Sequence, residues 1–142
     1  MHEYVWLGST PVALLQDSDG SGPGAATVMA LGVDHLGTPH RAWDASTGAT
    51  TWAGDYEAFG SCTPWLPVGG SPTVDVSLRF PGQLEDAETG MHYNWWRYYG
   101  RSSGRYTRPD PLGLRGGDET LFAYAVASPL YRYDPEGLKP DC

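Results

Sequence analysis

The chain has 142 residues, of which 40% are hydrophobic, 13% aromatic and 18% charged, a balance that allows one packed core and excludes a disordered chain. Its formal net charge of −8 excludes a partner bound through its phosphate backbone, which requires clustered positive charge, so nucleic acid is not expected. Cys62 and Cys142 are too few for a disulfide framework and read as free thiols, and the longest apolar run, at residues 28–33, is too short to span a bilayer.

Nineteen Gly and twelve Pro are scattered between aromatic runs, punctuation that suits many short strands and turns. Residues 4–16 place the apolar run VALL after a Gly-Ser-Thr-Pro turn and predict two short strands or a hairpin. Residues 17–26 (DSDGSGPGAA) predict a solvated loop; the pair Asp17 and Asp19 lacks the remaining ligands and closing Glu of a calcium loop. From Val28 the pattern is a β-meander: strand, the turn DHLGTP at 34–39, a strand through Arg41 and Trp43, the turn DASTG at 44–48, and another strand. The same Asp-x-x-Thr-Gly turn returns as DAETG at 86–90, 42 positions later, and such self-similarity marks stacked hairpin units.

Residues 61–72 (SCTPWLPVGGSP) hold three Pro and two consecutive Gly and predict an ordered surface loop, because Pro brings no ladder donor. Residues 91–106 (MHYNWWRYYGRSSGRY) predict a strand, a turn at 100–104 and a second strand, with Tyr93, Trp95 and Arg97 on one face and Tyr98 on the other. Residues 118–128 (DETLFAYAVAS) predict the one helix, with Leu121, Tyr124 and Ala125 at helical spacing, the acidic Asp118 and Glu119 at its start and Pro129 at its end. His2, His35, His40 and His92 lack paired ligand spacing for zinc and read as turn or surface residues. The six Trp and nine Tyr could stack on a sugar, Trp65, Trp95 and Trp96 foremost, but packing between strands is the ordinary use of such residues.

A pentad occurs twice, as DPLGL at 110–114 and DPEGL at 134–138, and each copy sets a carboxylate directly before a Pro. Alone, such a pentad is a good turn, in which Pro fixes φ, Gly takes an awkward φ and Asp caps the backbone. Taken in order, DHLGTP, the DYEAFG stretch at 55–60, the block RFPGQLEDAETGMHYNWWRYYGRSSGRYTRPDPLGL at 79–114 and FAYAVASPLYRYDPEGL at 122–138 resemble the RHS-repeat-associated core region, over residues 4–138.

The resemblance implies a mainly β fold, built of antiparallel hairpins of a wound YD-repeat-type sheet with a short helix near the C-terminal end. It divides the chain into a core over 1–138, with hairpin repeats at 1–78 and a plug at 79–138, and a residual tail at 139–142. In the family the core plugs one end of a shell that encloses a toxin, and Asp110 and Asp134 match a pair resembling an aspartic-protease dyad that cuts after the second pentad. Carried over, the cleaved bond is Leu138–Lys139, and Arg97 matches an Arg that orients a carboxylate or steadies an oxyanion. Two carboxyls sharing one proton can activate a water and protonate a leaving amine, with no metal or other cofactor.

The alternative is a non-catalytic core acting as a structural or interaction module. It would dock through open sheet edges, either on a larger RHS chain or on itself. The partners implied are an upstream RHS/YD-repeat shell chain or a toxin cargo. The chain shows no signal-peptide pattern and no upstream YD repeats, and carries four residues beyond Leu138. It is therefore expected to be made in the cytoplasm and exported as part of a toxin system.

Overall fold

The computed structural model describes residues 2–17, 20, 24–117 and 120–141. Asp19, Asp118, Glu119 and Cys142, which entered the reading above, lie outside them. The described chain is mainly β, as its sequence indicates, and divides into two compact units, Met1–Asp55 with Thr63–Val76, and Tyr56–Cys62 with Ser77–Cys142.

The first unit is built on a sheet in which every strand pairs with its sequence neighbour: β1 (His2–Leu7), β2 (Thr10–Gln16), β3 (Thr27–Val33), β4 (Pro39–Asp44), β5 (Thr50–Tyr56) and β6 (Cys62–Trp65). This is the expected hairpin followed by the expected meander. Register brings Leu14 opposite Met29 and Ala42 opposite Trp52, and all four are buried. Burying each of the larger ones contributes about 1.5–3 kcal/mol. The loop expected at 61–72 instead begins with β6, and the reason Pro64 is tolerated is that β6 is an edge strand, where one missing N–H need not break a ladder.

The two Asp-x-x-Thr-Gly turns have one geometry. Asp44 Oδ1 accepts the N–H groups of Ser46 and Thr47, and Asp86 Oδ1 accepts those of Glu88 and Thr89. In each the closing Gly N–H donates to the Asp carbonyl at 2.8 Å. The local hydrogen bonds, led by the Ser46 hydroxyl for Asp44 and by Thr89 for Asp86, hold both carboxyls below their ordinary range.

In the second unit β7 (Leu84–Asp86), β8 (Met91–Asn94), β9 (Arg97–Gly100) and β10 (Arg105–Tyr106) form an antiparallel sheet in the order β10-β9-β8-β7. The single strand expected before residue 100 is two strands, because the chain turns at Trp95 and Trp96. That turn replaces the predicted face assignment. Asn94 pairs with Arg97 and His92 with Tyr99, all buried, whereas Tyr93 pairs with Tyr98 on the outside. A two-residue hairpin loop of this kind favours positive φ, and Trp95 adopts it at φ 53°. Below the sheet Phe80 stacks on Tyr124 at 5.6 Å, and Tyr99, Tyr106 and Ala125 complete the buried cluster.

His92 also departs from its expected surface position. It is fully buried, with Nδ1 2.8 Å from Gln83 Oε1. Burial, reinforced by Arg79 and Arg101, pushes it down to about 4.

The helix expected over 118–128 does not form in its described part, where the only helical piece is a 3₁₀ turn at Ala125–Ala127. Tertiary hydrogen bonds explain this. The Leu121 carbonyl accepts Asp110 N–H and Arg97 Nη1, and the Phe122 carbonyl accepts Tyr106 N–H, so these carbonyls serve neighbours rather than a helix ladder. An eleven-residue stretch is too short to be helical on propensity alone.

Candidate functional site

The second unit brings Arg97, Asp110 and Asp134 together. Arg97 opens β9 on its buried face, Asp110 starts the first Asp-Pro turn and Asp134 the second. Arg97 Nη2 lies 3.0 Å from Asp110 Oδ2 and 3.2 Å from Asp134 Oδ2, and the three side chains are 1%, 5% and 0% exposed. One guanidinium nitrogen thus bridges both carboxyls. The other guanidinium nitrogens donate to main chain, Nε to the Gly137 carbonyl at 2.6 Å and Nη1 to that of Leu121 at 3.3 Å. Every edge of the fork is engaged, so the Arg is fixed in orientation as well as charge.

Each carboxyl also caps its own turn. Asp110 Oδ1 accepts Leu112 N–H at 2.7 Å. Asp134 Oδ1 accepts Leu138 N–H at 2.9 Å and Lys139 N–H at 3.2 Å, and the second of these is the amide of the Leu138–Lys139 bond. The carbonyl side of the same bond approaches Asp110. A Cβ placed on Gly116 would meet Asp110 Oδ2 at 2.5 Å and the Leu138 carbonyl oxygen at 2.8 Å, so these two oxygens flank a gap that only a glycine leaves open. The Leu138–Lys139 peptide therefore donates its N–H to one carboxyl, while its oxygen and the other carboxyl border the same space beside Gly116.

Two further residues belong to the site and escaped the sequence reading. Tyr106 donates its hydroxyl to Asp134 Oδ2 at 2.8 Å, and its ring lies under the Arg97 guanidinium at 3.6 Å. Burial, and after it the Asp134 charge, raises the Tyr106 phenol above its ordinary value, which keeps it a donor. Asn94 Nδ2 donates to the Tyr106 oxygen at 2.8 Å and to the Asp134 carbonyl at 2.9 Å. In sequence both sit in an aromatic run whose ordinary use is packing, and the available hint was a polar Asn at an inward strand position.

Among the described residues no group of three or more His, Cys, Asp or Glu is placed to hold a metal. Of the Trp residues considered for sugar stacking, Trp65 is half-buried with Arg41 5.7 Å above its ring, whereas Trp95 and Trp96 are exposed beside Tyr93 and Glu136 around an open hollow. Among the described residues no helix is long and apolar enough to cross a membrane.

The chain's fold, open antiparallel sheets built of consecutive hairpins, is one found within much larger solved chains. It superposes on part of the TcdB2-TccC3-TEV crystal structure with a TM-score of 0.73 at 22% identity, over 96% of this chain and 6% of that one. In sequence it is 40% identical over 115 residues to "Toxin protein Tse5" of Pseudomonas aeruginosa, and 47% identical over 68 residues to "Probable deoxyribonuclease RhsB" of Dickeya dadantii. These alignments cover 81% and 48% of this chain, and it spans only 8% and 5% of the two relatives. No family model matches. The chain belongs to the C-terminal RHS-repeat-associated core regions.

Proposed function

We propose that the chain is the end plug of an RHS toxin shell and hydrolyses its own Leu138–Lys139 bond by aspartic-type chemistry. The observation that carries this reading is the placement of the two carboxyls on opposite ends of one peptide bond, Asp134 Oδ1 on the Lys139 nitrogen and Asp110 Oδ2 across from the Leu138 oxygen.

The chemistry follows from those positions. With one proton shared by the pair, Asp110 donates to the Leu138 carbonyl oxygen while a solvent water attacks its carbon and gives a proton to Asp134. Asp134, 3.2 Å from the Lys139 nitrogen, hands that proton to the amine as the C–N bond breaks. As the carbonyl re-forms, one hydroxyl of the diol returns its proton to Asp110, and the products are a Leu138 carboxyl group, which then ionises, and a new Lys139 amine. Arg97 holds both carboxyls at one spot and offsets their charge, so that they can approach at all.

In this reading the partners are the upstream RHS/YD-repeat shell and the cargo it encloses, and the assembly is exported as a toxin system. The relatives named as a toxin and a deoxyribonuclease support it. A second reading, a non-catalytic core module, is favoured by the capping bonds that both aspartates make within their own turns. The two separate on Asp110→Asn and Asp134→Asn. Autocleavage requires each variant to stay at full mass while the parent is shortened, and a parent indistinguishable from the variants would leave the module reading.

A further inference from the structure

On the N-terminal side of the Leu138–Lys139 bond the chain is fitted tightly. Gly137 is buried at φ 70°, a Cβ there would run into the Asn94 carbonyl, and Leu138 is half-buried. On the C-terminal side the ties run through the main chain. Lys139 N–H donates to Asp134 Oδ1, Asp141 N–H donates to the Tyr133 carbonyl at 2.6 Å, and Tyr133 N–H donates to the Asp141 carbonyl at 3.1 Å. Tyr133 and Asp141 thus form an isolated antiparallel bridge, and the residues between them make a loop that carries the bond. The Lys139 and Asp141 residues are exposed.

We infer that the segment leaving the Leu138–Lys139 bond is positioned by its backbone, through the Tyr133–Asp141 bridge, and that the site accepts unrelated side chains at position 139. The inference rests on the autocleavage reading. Its physical basis is that a bridge fixes the path of the chain two residues beyond the new amine without consulting side-chain shape, as β-strand addition does generally. Two backbone hydrogen bonds, each of modest net strength, are enough to orient a tethered loop. By themselves they are too weak to retain the separated segment against the cost of association, so the same bridge lets go once the bond is cut. Specificity then lies in Gly137 and Leu138, and tolerance lies downstream.

The test follows cleavage of the full chain during cell-free synthesis by intact mass. Asp141→Pro removes the bridging N–H and Asp141→Ala keeps it. Neither has the carboxylate, so any difference between them reports the bridge. We expect Asp141→Pro to be cut at least tenfold more slowly than Asp141→Ala, and Lys139→Ala and Lys139→Glu to be cut within about threefold of the parent. Equal rates for the two position-141 variants, or a large loss in either Lys139 variant, would overturn the inference while leaving autocleavage in place. A parent that is never cut overturns both. Should Asp141→Pro fail to fold, amide hydrogen exchange on the uncut Asp110→Asn chain decides instead: at least tenfold protection of the Asp141 amide supports the bridge, and exchange at the free-chain rate overturns it.

Discussion

Tyr106 donates to Asp134 and lies under Arg97, so one side chain touches both a carboxyl of the pentads and the cation between them. Tyr106→Phe keeps the ring and removes only the hydroxyl. It is expected to slow cleavage roughly tenfold, equivalent to about 1.4 kcal/mol, with little change in the near-ultraviolet dichroism of the aromatic cluster. Arg97→Ala leaves two buried carboxyls without their cation and should cost about 3–5 kcal/mol of stability, measured by urea unfolding. The two Asp stood out in the sequence because their pentad recurs, and Arg97 was singled out only by the family resemblance. Tyr106, Asn94 and the buried His92 were not, because nothing in an aromatic strand distinguishes a residue that packs from one that donates. His92 gives a pH signature of its own. Its value in the folded chain, about 4, lies below the 6.5 of the unfolded chain, so the unfolded state binds the proton first. Its contribution is intact above pH 6.5 and is lost progressively as pH falls towards 4, a change on the order of 3 kcal/mol. His92→Gln should flatten that part of the stability profile, and an unchanged profile would show that another group sets it.

Ala125, Val126 and Ala127 form a left-handed turn, with φ of 52°, 54° and 52°. Residues with a Cβ resist this conformation by about 1–2 kcal/mol each, and the surrounding contacts must impose it. Buried Tyr124 and Ala125 on one side and the bonds to the Leu121 and Phe122 carbonyls on the other supply the constraint. Ala127 is exposed, so Ala127→Gly relieves strain and gives up only a solvent-facing methyl. Thermal unfolding should show that variant to be more stable by about 0.5–1 kcal/mol, net of glycine's entropy. The stretch read as helical because its apolar spacing fits a helix, and spacing does not register which backbone carbonyls a neighbour will claim. The Trp95–Trp96 turn was hidden for a related reason. Two-residue turns announce themselves by Gly or Asn, and here two bulky residues take their place. The meander over residues 28–56 was legible because its Asp-anchored turns set the register locally.

Family membership and the mainly antiparallel architecture were readable because the motifs occur in fixed order along nearly the whole chain, and the likenesses in sequence and fold agree with them. What order alone could not give is the meeting of residues 110 and 134 on Arg97, since a 24-residue connector can return in many ways. Gly116 is the position where Asp110 and the Leu138 carbonyl border a space that a side chain would fill. Gly116→Ala would push apart Asp110 and the Leu138 carbonyl and is expected to abolish cleavage while leaving the first unit's sheet intact by circular dichroism. The central claim is hydrolysis of one bond by the chain's own dyad, and following the intact mass of the freshly synthesised chain in ¹⁸O-enriched water tests it most directly. The expected result is a product ending at Leu138 with one ¹⁸O in its new carboxylate, absent from Asp110→Asn. A chain that remains at full mass, or one cut at another bond, would contradict it.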